Sequence, residues 1–152
     1  MYKKCLVPLD GSELAECSLN HVKKLVKEHS VGEVTILNVV KVDIPWSEFN
    51  EKKTVDLEAI RKPLFAAARK YLADVEKRLS AEGIAVKTEA IEGNRPGERI
   101  IDYAREKGMA LIVMATHGHT GFKKLLLGSV ATGVLHESAV PVLLIRPDSC
   151  RP

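Results

Sequence analysis

Aromatic residues are scarce. Three Phe, three Tyr and one Trp make up 5% of 152 residues, too few for the stacked-base platform that single-strand nucleic-acid binders use. The three cysteines, Cys5, Cys17 and Cys150, are an odd number without CxxC spacing, so neither a disulfide framework nor a zinc ribbon is indicated and reduced thiols are expected. No run approaches the ~18 consecutive apolar residues of a membrane span. The opening MYKKCLVPLDGSE lacks the apolar core of a signal peptide, which points to a cytoplasmic protein that does not engage a membrane. Neither sign of charge dominates, since 23 Lys+Arg against 20 Asp+Glu leave +3 with no basic arm; nucleic acid is not an expected partner. What is present is ordinary globular material, 45% hydrophobic and 28% charged, in a length that suits one domain over 1–152.

Short apolar runs alternate with amphipathic stretches. Cys5-Leu6-Val7-Pro8-Leu9 reads as a strand, followed by the turn and capping residues Asp10-Gly11-Ser12. Leu14, Ala15, Leu19, Val22, Leu25 and Val26 then recur at steps of mostly three or four, with Glu13 and Glu16 in the first turn where the helix dipole favours acids. Residues 34 to 40, Val-Thr-Ile-Leu-Asn-Val-Val, suit a strand covered on both faces. The polar stretch 41 to 53 has no clean period, and Leu57, Ile60, Leu64, Ala68, Leu72, Val75 and Leu79 mark a second helix that Pro63 would kink or begin. Ala85 to Ile91 alternates as an edge strand would, and Pro96 opens a third helix that stops at Gly108. Met109 to Ala115 is the most apolar run, a fourth helix spans about Ser129 to Ser138, and Pro141 to Ile145 closes the series. This βαβαβαβαβ order predicts a doubly wound, five-stranded parallel sheet with helices on both faces, a Rossmann-like α/β fold.

Such sheets bind ligands at the carboxyl ends of their strands, which directs attention to two turns. One is Pro8 to Ser12. The other is T-H-G-H-T-G-F-K-K-L-L-L-G-S-V over residues 116 to 130. Gly118 and Gly121 permit close backbone approach, and Gly128-Ser129 stands where the fourth helix begins, with free amides and the positive end of the dipole. These are the ingredients of a phosphate cradle, with Ser129 a candidate for both N-cap and hydroxyl donor. The spacing is not that of a Walker A loop. His117 and His119 have H-x-H spacing but no third or fourth ligand nearby, so no protein metal site is expected. No nucleophile–base dyad is signalled among Asp10, His117, His119, Lys123 and Ser129, so no catalytic residue is assigned.

With these residues in view, the chain resembles the universal stress proteins. The nucleotide-binding members of that family carry G-x(2)-G-x(9)-G-[S/T] after the fourth strand. Gly118, nine residues and Gly128-Ser129 match its later parts, while Ala115 stands at the first glycine. The opening Val7 to Ser12, Leu37-Asn38-Val39 and the ending Val140 to Pro147 extend the likeness over nearly the whole chain. The resemblance implies an adenine nucleotide alpha hydrolase-like fold with ATP, accompanied by Mg²⁺ or Mn²⁺, across the strand ends. It places Pro8, Leu9 and Asp10 beside the adenosine, the main chain of Val39 on the adenine edge, and Met114 and Ala115 along the ribose. Gly118, Gly128, Ser129 and Val130 would hold the phosphates, and His117 and Gly121 of the same turn are further candidates for nucleotide binding. It further implies a homodimer formed by pairing the final strands.

Three readings follow: an ATP-binding regulatory dimer with at most slow hydrolysis, a nucleotide-free dimeric scaffold of the same fold, and a true adenine-nucleotide hydrolase. The retained glycines favour the first over the second, and the missing catalytic constellation favours it over the third. With few aromatics available, the base is expected to be held by aliphatic contact and main-chain hydrogen bonds.

Overall fold

Runs too apolar to leave either face in water form the inner strands, and the helices between them cover both faces. The computed structural model describes residues 1–44, 54–117 and 127–146. Its elements are β1 (Tyr2–Pro8), α1 (Glu13–Lys27), β2 (Val31–Val40), α2 (Leu57–Ala81), β3 (Lys87–Glu92), α3 (Pro96–Glu106), β4 (Leu111–Ala115), α4 (Ser129–Glu137) and β5 (Val142–Ile145). The strands form a five-stranded sheet in the order β3-β2-β1-β4-β5, parallel throughout. The expected α/β architecture is present. β1 and β2 start earlier than their apolar runs, with Tyr2 paired to Val31 and Lys4 to Glu33, because main-chain pairing at the rim needs no apolar side chain.

Alternation along the strands divides the interior into two cores. Cys5, Val7, Val34 and Ile36 pack under α1 and α2 with Leu19, Val22, Leu72 and Val75. Leu6, Leu37, Ile112 and Met114 pack under α3 and α4 with Ile100, Ala104, Ala131 and Val134. Burial pushes the Cys5 thiol up to about 12, which makes it an inert core residue. Neither Cys5 nor Cys17 forms a disulfide among the described residues, and Cys150 lies outside the described residues.

α2 begins at Leu57 on an Asp56 cap, whose Oδ1 accepts from the backbone N–H groups of Glu58 and Ala59 at 3.1 and 3.2 Å. Pro63 therefore does not set the start of this helix. It sits inside the helix and removes the N–H that would reach the Ala59 carbonyl. The buried positions of α2 are Leu72, Val75 and Leu79, whereas Leu57 and Leu64 are 42% and 39% exposed. Its N-terminal half thus stands beyond the core. Arg61 pins that half to the end of β3 through Nε donating to Glu92 Oε2 at 2.7 Å.

The chain leaves β1 for β2 on one side and returns to β4 on the other, so the order reverses at the β1–β4 seam. Pairing of β1 with β2 continues to Pro8 opposite Leu37, whereas its pairing with β4 consists of Cys5 opposite Leu111 and Leu6 opposite Ile112. The Leu9 N–H donates to the Leu37 carbonyl, so by alternation Pro8 faces β4. Having no N–H, Pro8 cannot extend that ladder. The two strands part at the point where a ligand crevice is expected.

Candidate functional site: the crevice at the strand ends

A cavity of about 820 Å³ opens over the β1–β4 seam, within the range of small-molecule sites. Pro8, Leu9, Asp10, Val39, Met114, Ala115, His117, Gly128, Ser129 and Val130 all border it. Gly118 and Gly121 lie outside the described residues, as do His119 and Lys123.

The turn after β1 is closed on itself. Asp10 Oδ1 accepts from the Ser12 backbone N–H at 2.9 Å and from the Ser12 hydroxyl at 2.6 Å. Ser12 Oγ in turn accepts from the Ala15 N–H at 3.1 Å and caps α1. Gly11 allows the reversal at φ +88°, which a residue with a Cβ adopts only under strain.

Beside it, Val39 presents its main chain. Because Leu37 faces β1, Val39 does too, past the last β1–β2 pair at Pro8 and Leu37. Asn38 Nδ2 donates to the Leu9 carbonyl at 2.9 Å, which takes the acceptor that would have prolonged the ladder. The Val39 N–H and C=O are thereby left beside the crevice.

The exit of β4 is built differently. Thr116 is 5% exposed; its N–H donates to the Ile145 carbonyl at 2.9 Å and its carbonyl accepts from the Gly128 N–H at 2.8 Å. Its Oγ1 lies 2.9 Å from His117 Nδ1. His117 Nε2 is buried and has no hydrogen-bond partner among the described residues. At the start of α4, Gly128 occupies the cap position and makes no side-chain cap bond. Ser129 is the first helical residue rather than the N-cap expected from the sequence. The reason is steric: a Cβ at Gly128 would stand 3.1 Å from the Thr116 carbonyl oxygen, so a serine cannot take the cap without displacing that junction. The amides of Ser129, Val130 and Ala131 have no intrahelical acceptor and carry the positive end of the dipole.

The model of the universal stress protein family matches residues 1–146. The chain belongs to the universal stress protein family. Universal stress protein MJ0577 of Methanocaldococcus jannaschii is 34% identical, with 96% of each chain covered. Its solved structure superposes with a TM-score of 0.79 at 35% identity, again over 96% of each chain. A universal stress protein solved in complex with cAMP shares the fold at a TM-score of 0.67 and 19% identity, covering 95% of this chain and 98% of that one. So does an Arabidopsis thaliana family member with AMP bound, at 0.66 and 15%, covering 95% and 91%.

Against the family's glycine motif, Ala115 is accommodated because it is a β4 residue without positive φ; the non-glycine residue with positive φ among the described residues is His29. Several wall residues escaped sequence reasoning. Leu64, Ala68 and Tyr71 of α2 border the cavity, as do Asn38 and Thr116. Tyr71 follows Leu64 by seven residues, so helical spacing places them on one face, and Asn38 is the polar residue in an otherwise apolar stretch of β2. The cavity therefore has an aromatic wall residue in Tyr71. The Tyr71 hydroxyl donates to Glu16 Oε1 at 3.0 Å, and Arg78 holds the other oxygen of that carboxylate at 2.8 Å. Burial and the Glu16 carboxylate push the Tyr71 phenol upward, so the ring stays neutral and anchored.

Proposed function

We propose that this universal stress protein is a cytoplasmic regulatory protein that binds an adenine nucleotide, ATP with Mg²⁺ or Mn²⁺, across the crevice and hydrolyses it slowly at most. The observation that carries this reading is the pairing at the β4 exit of His117 Nε2, buried without a partner among the described residues, with the first amides of α4, which have no intrahelical acceptor, beside the cavity that Val39 also lines. A buried donor without an acceptor is unfavourable by about 1–3 kcal/mol, and phosphate oxygens supply acceptors at that place. The Val39 N–H and C=O would meet the donor–acceptor edge of adenine. The AMP and cAMP complexes of family members support the ligand class. The divalent ion would be held by phosphate oxygens and water.

The homodimer belongs to the same reading. The two sheet edges differ in kind. β3 exposes Lys87 and Glu89, charges that discourage edge pairing, whereas β5 exposes Leu143 to 37%. Pairing of β5 with its twin about a two-fold axis would cover that edge.

The test is to purify the protein without added nucleotide, denature it and identify what is released, then titrate the stripped protein with ATP and Mg²⁺. Released adenine nucleotide and saturable rebinding are expected. Absence of both favours the scaffold, and turnover reaching the ~1 s⁻¹ of ordinary enzymes favours the hydrolase. Sedimentation at micromolar concentration checks the dimer; a monomeric mass there removes it.

A further inference from the structure

Thr116 is held in place from three directions. Its N–H reaches the end of β5, its carbonyl receives the Gly128 amide ahead of α4, and its side chain contacts His117 Nδ1 at 2.9 Å. The residue is 5% exposed, and His117 is the partner the structure gives its hydroxyl among the described residues. A threonine hydroxyl can meet a neutral imidazole in two ways. If Nδ1–H donates to Oγ1, Nε2 is a bare acceptor that would repel a phosphate oxygen. If Oγ1–H donates to Nδ1, Nε2 carries the proton and is a donor.

We propose that Thr116 is a positioning residue that fixes the second arrangement, so that His117 presents Nε2–H to a phosphate oxygen of the bound nucleotide; this rests on the nucleotide reading above. The backbone bonds of Thr116 hold its main chain in place, and its hydroxyl sets the tautomer and orientation of the ring, the relation a partner on one imidazole nitrogen imposes on the other. With the main chain of Thr116 also bonded to Gly128, the histidine and the α4 amides are referred to a single residue. The phosphate group is thereby recognised by a neutral donor from β4 and by backbone donors from α4 in fixed register.

The experiment has two arms, one without ligand and one with it. Protein labelled with ¹⁵N-histidine, stripped of nucleotide and held about two units above the ordinary His value of ~6.5, is examined by long-range ¹H–¹⁵N correlation, with His117→Gln assigning the ring. The His117 ring is expected as the Nε2–H tautomer in the wild type and in Thr116→Ser, and as a tautomer mixture in Thr116→Val. In titrations with ATP and with adenosine, Thr116→Val is expected to weaken ATP binding about twofold, the share of the ring lost from the Nε2–H form when both tautomers are populated, while adenosine binding is unchanged and Thr116→Ser matches the wild type. An Nδ1–H tautomer in the wild type overturns the proposal. So does a Thr116→Val protein that keeps wild-type ATP affinity, or one that loses ATP and adenosine alike, the mark of a merely structural role. Should Thr116→Val fail to fold, the wild-type and Thr116→Ser spectra decide the tautomer. A wild type that binds neither ATP nor adenosine removes the nucleotide reading and the phosphate contact with it, an outcome distinct from a loss confined to the variant.

Discussion

The two strand exits that border the crevice are made of similar residues and do different work. After β1, the Asp10 carboxylate and the Ser12 hydroxyl satisfy each other and the first turn of α1. After β4, a histidine nitrogen and the amides of a helix start remain without protein acceptors among the described residues. The first turn is closed by its own bonds; the second, on the reading proposed above, would be completed by a ligand. A polar cluster at a strand end is therefore not by itself a binding site, and the decisive feature is which donors stay uncommitted after local bonds are formed.

That contrast can be broken by substitution, and the largest effect is expected at Gly128→Val. The added side chain begins 3.1 Å from the Thr116 carbonyl oxygen, so overpacking of about 1–3 kcal/mol should lower the melting temperature and abolish ATP binding together. Calorimetric titration beside thermal unfolding checks both, and retention of affinity would show that the phosphates lie elsewhere. Next is His117→Ala, expected to weaken ATP by about 1.5–3 kcal/mol and to lower stability by about 1 kcal/mol, because the buried Thr116 hydroxyl loses its partner. On the other side, Gly11→Ala forces a Cβ into φ +88° and should lower stability by ~1–2 kcal/mol in urea unfolding. Ser12→Ala, the smallest, removes the α1 cap for about 1 kcal/mol. Both β1-exit variants are expected to keep ATP affinity. If Ser12→Ala reduced it as much as His117→Ala, the division between a structural and a binding turn would collapse.

Much of this was readable beforehand, for identifiable reasons. β2 and β4 are covered on both faces, so continuous aliphatic runs announced them, and the alternation of strand with helix left a parallel sheet as the consistent arrangement. The alternating β3 does lie at an edge. Helical period alone could not tell that α2 is half core and half wall. Leu64 and Leu72 look alike in sequence, yet Leu72 is buried and Leu64 is 39% exposed at the cavity, a difference set by where the sheet ends beneath them. Sequence alone puts the cap of α4 at Ser129 because serine is the better capping residue in isolation; the tertiary contact with Thr116 reserves the cap for Gly128. Thr116 itself carried no signal, since its role lies in three bonds to β5, α4 and His117 that only the folded chain brings together.

Pro8 has a kinetic consequence. Because Pro8 lacks the N–H that would extend the β1–β4 ladder, the proposed nucleotide would enter the seam without breaking a bond from that position, through an entrance already preorganised. Association measured by stopped flow should then be a single phase whose rate rises linearly with ATP, without the saturating step of a strand rearrangement. Replacing Pro8 by alanine, which restores an N–H directed at β4, should slow that phase by letting the strands zip together in the empty protein.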